Sequence, residues 1–134
     1  MRLHHIAVNC ADFERSLRFY SDGLGRGGAY LWNAPPMVSQ AAFIALAGSS
    51  WIELFAGGES EGARGQRAAG LTHFALAVDD VQAAFDRLVS AGGVPAEPPV
   101  TRTLHGDPPL EATMAFVVGP DGEVIELYRN DGLS

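Results

Sequence analysis

Residues 3–25 read LHHIAVNCADFERSLRFYSDGLG, and residues 71–93 read LTHFALAVDDVQAAFDRLVSAGG. Aligned at a constant offset of 68, His5 falls on His73, Ala7 on Ala75, Val8 on Leu76, Asp12 on Asp80, Leu17 on Phe85 and Gly25 on Gly93. Similarity at a fixed spacing inside one chain marks a duplicated structural unit. A second match extends it. At an offset of 73, AFIALAGSSWIELF (42–55) lies on AFVVGPDGEVIELY (115–128), so that Phe43 meets Phe116, Ile52 meets Ile125, Glu53 meets Glu126 and Phe55 meets Tyr128. The five-residue change in offset puts extra length into the second copy, in the proline-rich run VPAEPPVTRTLHGDPPLE (94–111). Between the copies, GGESEGARGQRAAG (57–70) is hydrophilic and glycine-rich, and reads as a mobile linker. The 134 residues therefore divide into module one (1–56), linker (57–70) and module two (71–130) of one domain.

Each copy has the same grammar. An alternating strand (3–8; 71–78) leads to Asp12 or Asp80, suited to accept from the free amides at a helix start. Apolar residues then recur at helical spacing, Phe13, Leu17 and Tyr20 in one copy and Val81, Phe85 and Leu88 in the other, until Gly23 or Gly92 ends the helix. Three strands follow, about 28–33, 41–47 and 50–56, then 99–105, 113–119 and 123–129. Pro-Asp-Gly at 120–122 supplies the last turn of the second copy. The expected fold class is α+β: two βαβββ modules forming a curved, mostly antiparallel eight-stranded cleft with helices on its outside.

Side chains alternate across a strand, so register assigns faces. Ile6 and Val8, and Phe74, Leu76 and Val78, make helix-facing sets; His5 and Ala7, and His73, Ala75 and Ala77, take the other side. Ile52 and Leu54 likewise separate from Trp51, Glu53 and Phe55, and Ile125 and Leu127 from Val124, Glu126 and Tyr128. Two histidines and two glutamates thus stand at equivalent positions of the repeats, on faces otherwise apolar or small. A buried carboxylate is costly unless compensated. If the strands curl into one cleft, the four converge as a ligand set for Zn, Ni, Co, Mn or Fe(II), whose charge cancels both carboxylates. His4 is expected on the helix side of its strand, structural or exposed. His105, in the proline-rich loop, reads as a surface imidazole that could also act at the cleft. Trp32, Phe43, Trp51, Phe55, Met114, Phe116 and Tyr128 read as core or cleft wall.

Composition sets limits. Nine Arg and Lys against 16 Asp and Glu give a formal charge of −7, which opposes a phosphate-tracking surface and argues against nucleic acid as a partner. No apolar run approaches the ~18 residues of a membrane helix, and the N-terminus enters a strand pattern at once, so no membrane partner is expected and a cytoplasmic location is the default. The single cysteine, Cys10, excludes an internal disulfide and an all-cysteine zinc site, and reads as a small core or loop residue.

HHIAVNCADFERSLRFYSDGLG, WIELF, GLTHFALAVDDVQAAF and GPDGEVIELY together resemble the vicinal oxygen chelate superfamily, which includes glyoxalase I, methylmalonyl-CoA epimerase, extradiol dioxygenases and the fosfomycin and bleomycin resistance proteins. The resemblance implies paired βαβββ modules around a metal cleft, often completed across a homodimer. Its ligand positions fall on His5, Glu53, His73 and Glu126, as in bacterial glyoxalase I. The residues that hold glutathione there, an Arg four after the first histidine and an Asn four after the first glutamate, are Asn9 and Gly57 in this chain. The implied chemistry is Lewis-acid stabilisation of an enolate or enediolate, with Glu126 or Glu53 as the base, giving isomerisation, epimerisation or a lyase reaction on a small carbonyl or thioester substrate. Two other functions carry over. An Fe(II) extradiol dioxygenase would use His5, His73 and Glu126 as a facial triad. A non-catalytic resistance protein would bind an aromatic antibiotic between Trp and Phe side chains; such binders have usually lost the metal ligands.

Overall fold

The computed structural model describes residues 3–24, 28–59, 71, 73–105, 107–130 and 132. Among these residues the elements run β1 (His5–Cys10), α1 (Phe13–Gly23), β2 (Tyr30–Ala34), β3 (Val38–Ala45), β4 (Trp51–Ala56), β5 (Phe74–Ala77), α2 (Val81–Ser90), β6 (Val94–Leu104), β7 (Leu110–Val118) and β8 (Val124–Asn130). The βαβββ unit is therefore present twice. Asp12 and Asp80 cap the helices as expected: their Oδ1 atoms accept from the Arg15 and Ala83 amides at 3.0 and 2.9 Å.

The eight strands form two four-stranded mixed sheets, ordered β1-β4-β3-β2 and β5-β8-β7-β6. In each, the module's first and last strands are parallel neighbours and the other pairings are antiparallel. α1 packs on β3 and β4, α2 packs on β6, β7 and β8, and the helices pack on each other. The core is continuous through this helix pair: Val8, Phe19, Tyr20, Ile44, Ile52 and Leu54 join Phe85, Leu88, Val117, Ile125 and Leu127 in one buried cluster. Alternation explains the segregation, because the residues that face the helices are the apolar set of each strand. The opposite faces, which carry the histidines and glutamates, point away from the shared core.

Close approach across the modules needs small residues. A Cβ on Gly93 would lie 3.1 Å from Phe19 Cε2 of the other module, besides 2.5 Å from Val117 Cγ1 of its own, and one on Gly23 would lie 2.7 Å from Leu88 Cδ2 across the modules. Gly23 is the last residue of α1, followed by the C-cap Leu24, so the helix ends where the sequence suggested, and a side chain there would also press on Leu88.

A polar clasp also joins the modules. The turn Pro120-Asp121-Gly122-Glu123, where Gly122 has a φ of +82° that favours glycine, reaches α1. Asp121 accepts from the Ala11 amide (2.8 Å) and the Ser16 hydroxyl, Glu123 accepts from the Tyr20 hydroxyl (2.6 Å), and Arg15 donates to the Pro120 carbonyl (3.0 Å). Burial raises the Glu123 carboxyl above its ordinary value of 4.5, and burial beside Glu123 holds the Tyr20 hydroxyl well above its own. Between 4.5 and the raised value, the folded chain holds a proton on Glu123 that the unfolded chain has released, so this group's contribution to stability falls as pH rises. Wild-type stability should therefore decline relative to Glu123→Gln as pH climbs from 4 to 7. Urea unfolding at several pH values measures this, and parallel curves for the two proteins would refute it.

Several strand boundaries differ from the sequence reading: β3 and β7 begin three residues earlier than expected and β5 three later, and two further shifts bear on the site and the sheet edge. β6 begins at Val94, ahead of the expected 99, and takes up three prolines through register shifts at Pro95/Glu97 and Glu97/Val100. An edge strand tolerates prolines that a central strand would not. β1 begins at His5, two residues later than expected, which leaves His4 outside the alternating pattern. The linker expected at 57–70 lies outside the described residues from 60 onward. Among the described residues no helix is long and apolar enough to cross a membrane.

Candidate metal centre

In the first sheet, parallel pairing of β1 with β4 puts His5 opposite Trp51 and Ala7 opposite Glu53. His5 and Glu53 share the face away from the helices, where small Ala7 is the register partner of Glu53. His5 Nε2 lies 3.2 Å from Glu53 Oε2; Glu53 is buried, whereas His5 is exposed. Phe43, the register partner of Glu53 on β3, presents its ring at 5.8 Å and 69° to His5.

The second sheet repeats this arrangement. Glu126 is opposite Ala75 on β5 and opposite Phe116 on β7. His73, immediately before β5, places Nε2 at 2.8 Å from Glu126 Oε2, and Phe116 packs edge-on to it at 5.6 Å and 85°. Each module thus carries the same trio, an imidazole, a buried carboxylate and a phenylalanine that meets the imidazole edge-on from the position opposite the carboxylate.

Donor spacing tests the fit to a metal ion. Two ligand atoms, each ~2.1 Å from one divalent ion and at right angles about it, lie roughly 3.0 Å apart. The observed 3.2 and 2.8 Å fall on either side of that value. Nitrogen and carboxylate oxygen are the donors that Zn, Ni, Co, Mn and Fe(II) take, so each pair suits two adjacent positions on such an ion. Among the described residues of one chain, no three His, Cys, Asp or Glu side chains gather as a ligand group. His5 meets Glu53 and His73 meets Glu126, but the two pairs stay apart.

The remaining expected site residues divide between the faces of the two pairs. Trp32 stacks on Phe43 (6.0 Å, 18°), Phe55 stands edge-on to Trp32 (5.8 Å) and Trp51 edge-on to Phe43 (6.2 Å), giving module one an aromatic wall beside Glu53. The Trp32 indole N–H is buried with no hydrogen-bond acceptor among the described residues. In module two, Met114 and Tyr128 are register partners one row from Phe116 and Glu126. His105 is exposed in the β6–β7 connection, away from regular strand pairing. Asn9 lies on β1 opposite Phe55, and Gly57 follows β4. Cys10 is fully buried, and burial pushes its thiol up to about 11, the state of an inert core cysteine.

His4 is not on the helix side. Its Nδ1 is 2.9 Å from His5 Nδ1, and its ring stands edge-on to both His5 (5.2 Å) and Phe43 (6.4 Å). Alternation misplaced it because the strand begins only at His5, after it. The doubled histidine was the available signal.

Two βαβββ modules, each presenting a His–Glu pair on the face away from a shared helix core, define a paired-module fold with a candidate metal centre. The chain belongs to the Glyoxalase/Bleomycin resistance protein/Dioxygenase superfamily, whose profile matches residues 2–127. It is 34% identical over 129 residues to the Escherichia coli (strain K12) protein YaeR, covering 96% of this chain and 95% of that one. It is 30% identical over 140 residues to a probable lactoylglutathione lyase of Vibrio cholerae, covering 96% and 91%. Among solved structures, the glyoxalase family protein from Enterococcus faecalis superposes with a TM-score of 0.72 at 26% identity, covering 96% of this chain and 97% of that one. The chain spans 45% of the length of a maize glyoxalase I chain whose fold it also shares.

Proposed function

We propose that the protein is a divalent-metal-dependent lyase or isomerase of the glyoxalase I type, acting on a small carbonyl or thioester substrate. The observation that carries this reading is the pair of His–Glu contacts, 3.2 and 2.8 Å, at equivalent positions of two repeated modules. One pair offers two ligands. His5 and Glu53 of one copy, facing His73 and Glu126 of a second, would complete a four-ligand site in a homodimer. The ion would supply Lewis-acid stabilisation of charge developing on a substrate oxygen.

The chain's own groups do the rest. Glu126, buried and held by His73, is placed to take a carbon-bound proton, and Glu53 of the facing copy to return it from the other side. Phe43 and Phe116 keep water from the carboxylates, and the wall of Trp32, Trp51 and Phe55 supplies a surface for an apolar or planar substituent. Asn9 supplies no guanidinium, and Gly57 no side-chain amide, at the places matching the glutathione clamp, so the thiol-bearing part of a substrate must be held differently.

Metal analysis of the purified protein should show one tightly held divalent ion per chain, lost in His5→Ala and Glu126→Gln. Small α-hydroxycarbonyl compounds and hemithioacetals of methylglyoxal with several thiols, incubated in D2O, should exchange their carbon-bound proton. Glu126→Gln should slow that exchange by about 10²–10⁴-fold. A wild type with no more metal than the variants would refute the reading.

The aromatic wall of module one supports a second function, capture of an aromatic antibiotic without catalysis. Tight binding of such a compound that survives both Glu126→Gln and chelation would establish it in place of the first.

A further inference from the structure

We infer that His4 is a positioning residue that sets the tautomer and orientation of His5, and so prepares the first module's half of the site for a divalent ion; this rests on the metal-dependent reading above. The two Nδ1 atoms are 2.9 Å apart, so one proton lies between them, on one ring or the other. With the proton on His5, the Nε2 of His5 carries a lone pair and is a metal ligand. With it on His4, the Nε2 of His5 carries the proton and donates it to Glu53, 3.2 Å away. The contact thus offers His5 two complete hydrogen-bond arrangements, one for the ion-free pair and one for the loaded pair. Passing between them moves the His5 proton from Nε2 to Nδ1 and the His4 proton from Nδ1 to Nε2. Both rings stay neutral, and no proton is gained or lost.

His4 is held where this requires. Its carbonyl accepts from the Trp51 amide at 2.9 Å, and the Leu3 carbonyl accepts from the Ser50 hydroxyl, which ties the segment before β1 to the start of the strand that bears Glu53. Phe43 meets both imidazoles edge-on and limits their rotation. A histidine that ligates a metal nearly always has its other ring nitrogen bonded to a partner that fixes its tautomer, and loss of that partner costs about 10–100-fold in affinity. In the second module the residue equivalent to His4 is Thr72, which has no ring nitrogen.

Two variants test it. His4→Phe keeps a ring against Phe43 but has no nitrogen; His4→Asn places an amide oxygen near the position of Nδ1. His4 is exposed, so both should keep the wild-type circular dichroism and melting temperature. Co(II) affinity, read from visible absorption and by chelator competition on the full chain, should fall about 10–100-fold in His4→Phe and return to within about threefold of wild type in His4→Asn. In the ion-free chain, ¹⁵N long-range spectra of the histidines should show His5 losing its preferred tautomer in His4→Phe. Wild-type affinity in His4→Phe, or an Asn variant as weak as the Phe variant, overturns the inference while the metal site stands. A wild type that binds no Co(II) overturns the functional reading and the inference with it.

Discussion

Unfolding His5→Ala and Glu126→Gln chains together and refolding the mixture should restore tight divalent-metal sites to about one quarter of the wild-type number, although neither variant alone holds any. In a homodimer whose sites join His5 and Glu53 of one copy to His73 and Glu126 of the other, either substitution damages both sites. Random re-pairing makes roughly half of the dimers mixed. A mixed dimer has one site built from the two damaged pairs and one from the two intact pairs, hence about a quarter overall. The result is sensitive to architecture, because sites built within one chain give no recovery on mixing. Equilibrium dialysis against Zn(II) after refolding reads the number directly. Failure to recover, with both variants refolded and dimeric, would remove the shared site.

Leu88→Ala should be among the most destabilising single changes, costing about 2–5 kcal/mol and lowering the melting temperature by roughly 10 °C. Leu88 is 1% exposed, lies on α2 within the buried cluster, and its Cδ2 fills the space beside Gly23 of α1 in the other module. Removing its isobutyl group leaves a void bordered by α1 as well as by its own module, so neither sheet can collapse into it alone. Thermal and urea unfolding measure the loss. A change below about 1 kcal/mol would mean that the helix pair is not the principal junction between the modules.

The duplicated unit was legible because both copies kept their polar residues at the same offsets, and alternation then placed His5, Glu53, His73 and Glu126 on the faces away from the helices. Periodicity says which side of a strand is buried, but not what covers it. It therefore could not show that α1 and α2 pack on each other, with the consequence that the two His–Glu pairs of one chain stand apart. Asp121 read as part of a turn and Glu123 as the first residue of a strand, since their partners Ser16 and Tyr20 lie more than a hundred residues away and no local pattern links them. The expected strand began only at Pro99, within a run read as extra length, and its place on a sheet edge is what lets β6 run through Pro95 and Pro98 as well. His4 was misassigned because a face can be read from alternation only once the strand has begun.

The parallel pairing of each module's first and last strands has a consequence for folding. His5 and Glu53 are 48 residues apart along the chain, and His73 and Glu126 are 53 apart, so the donors of each pair meet only when their entire βαβββ loop has closed. An ion held by both would act as a removable cross-link across that loop, with no matching site in the unfolded chain. Closing the module and acquiring the ion would then be thermodynamically linked, and the stability of the closed module would rise with free-metal concentration.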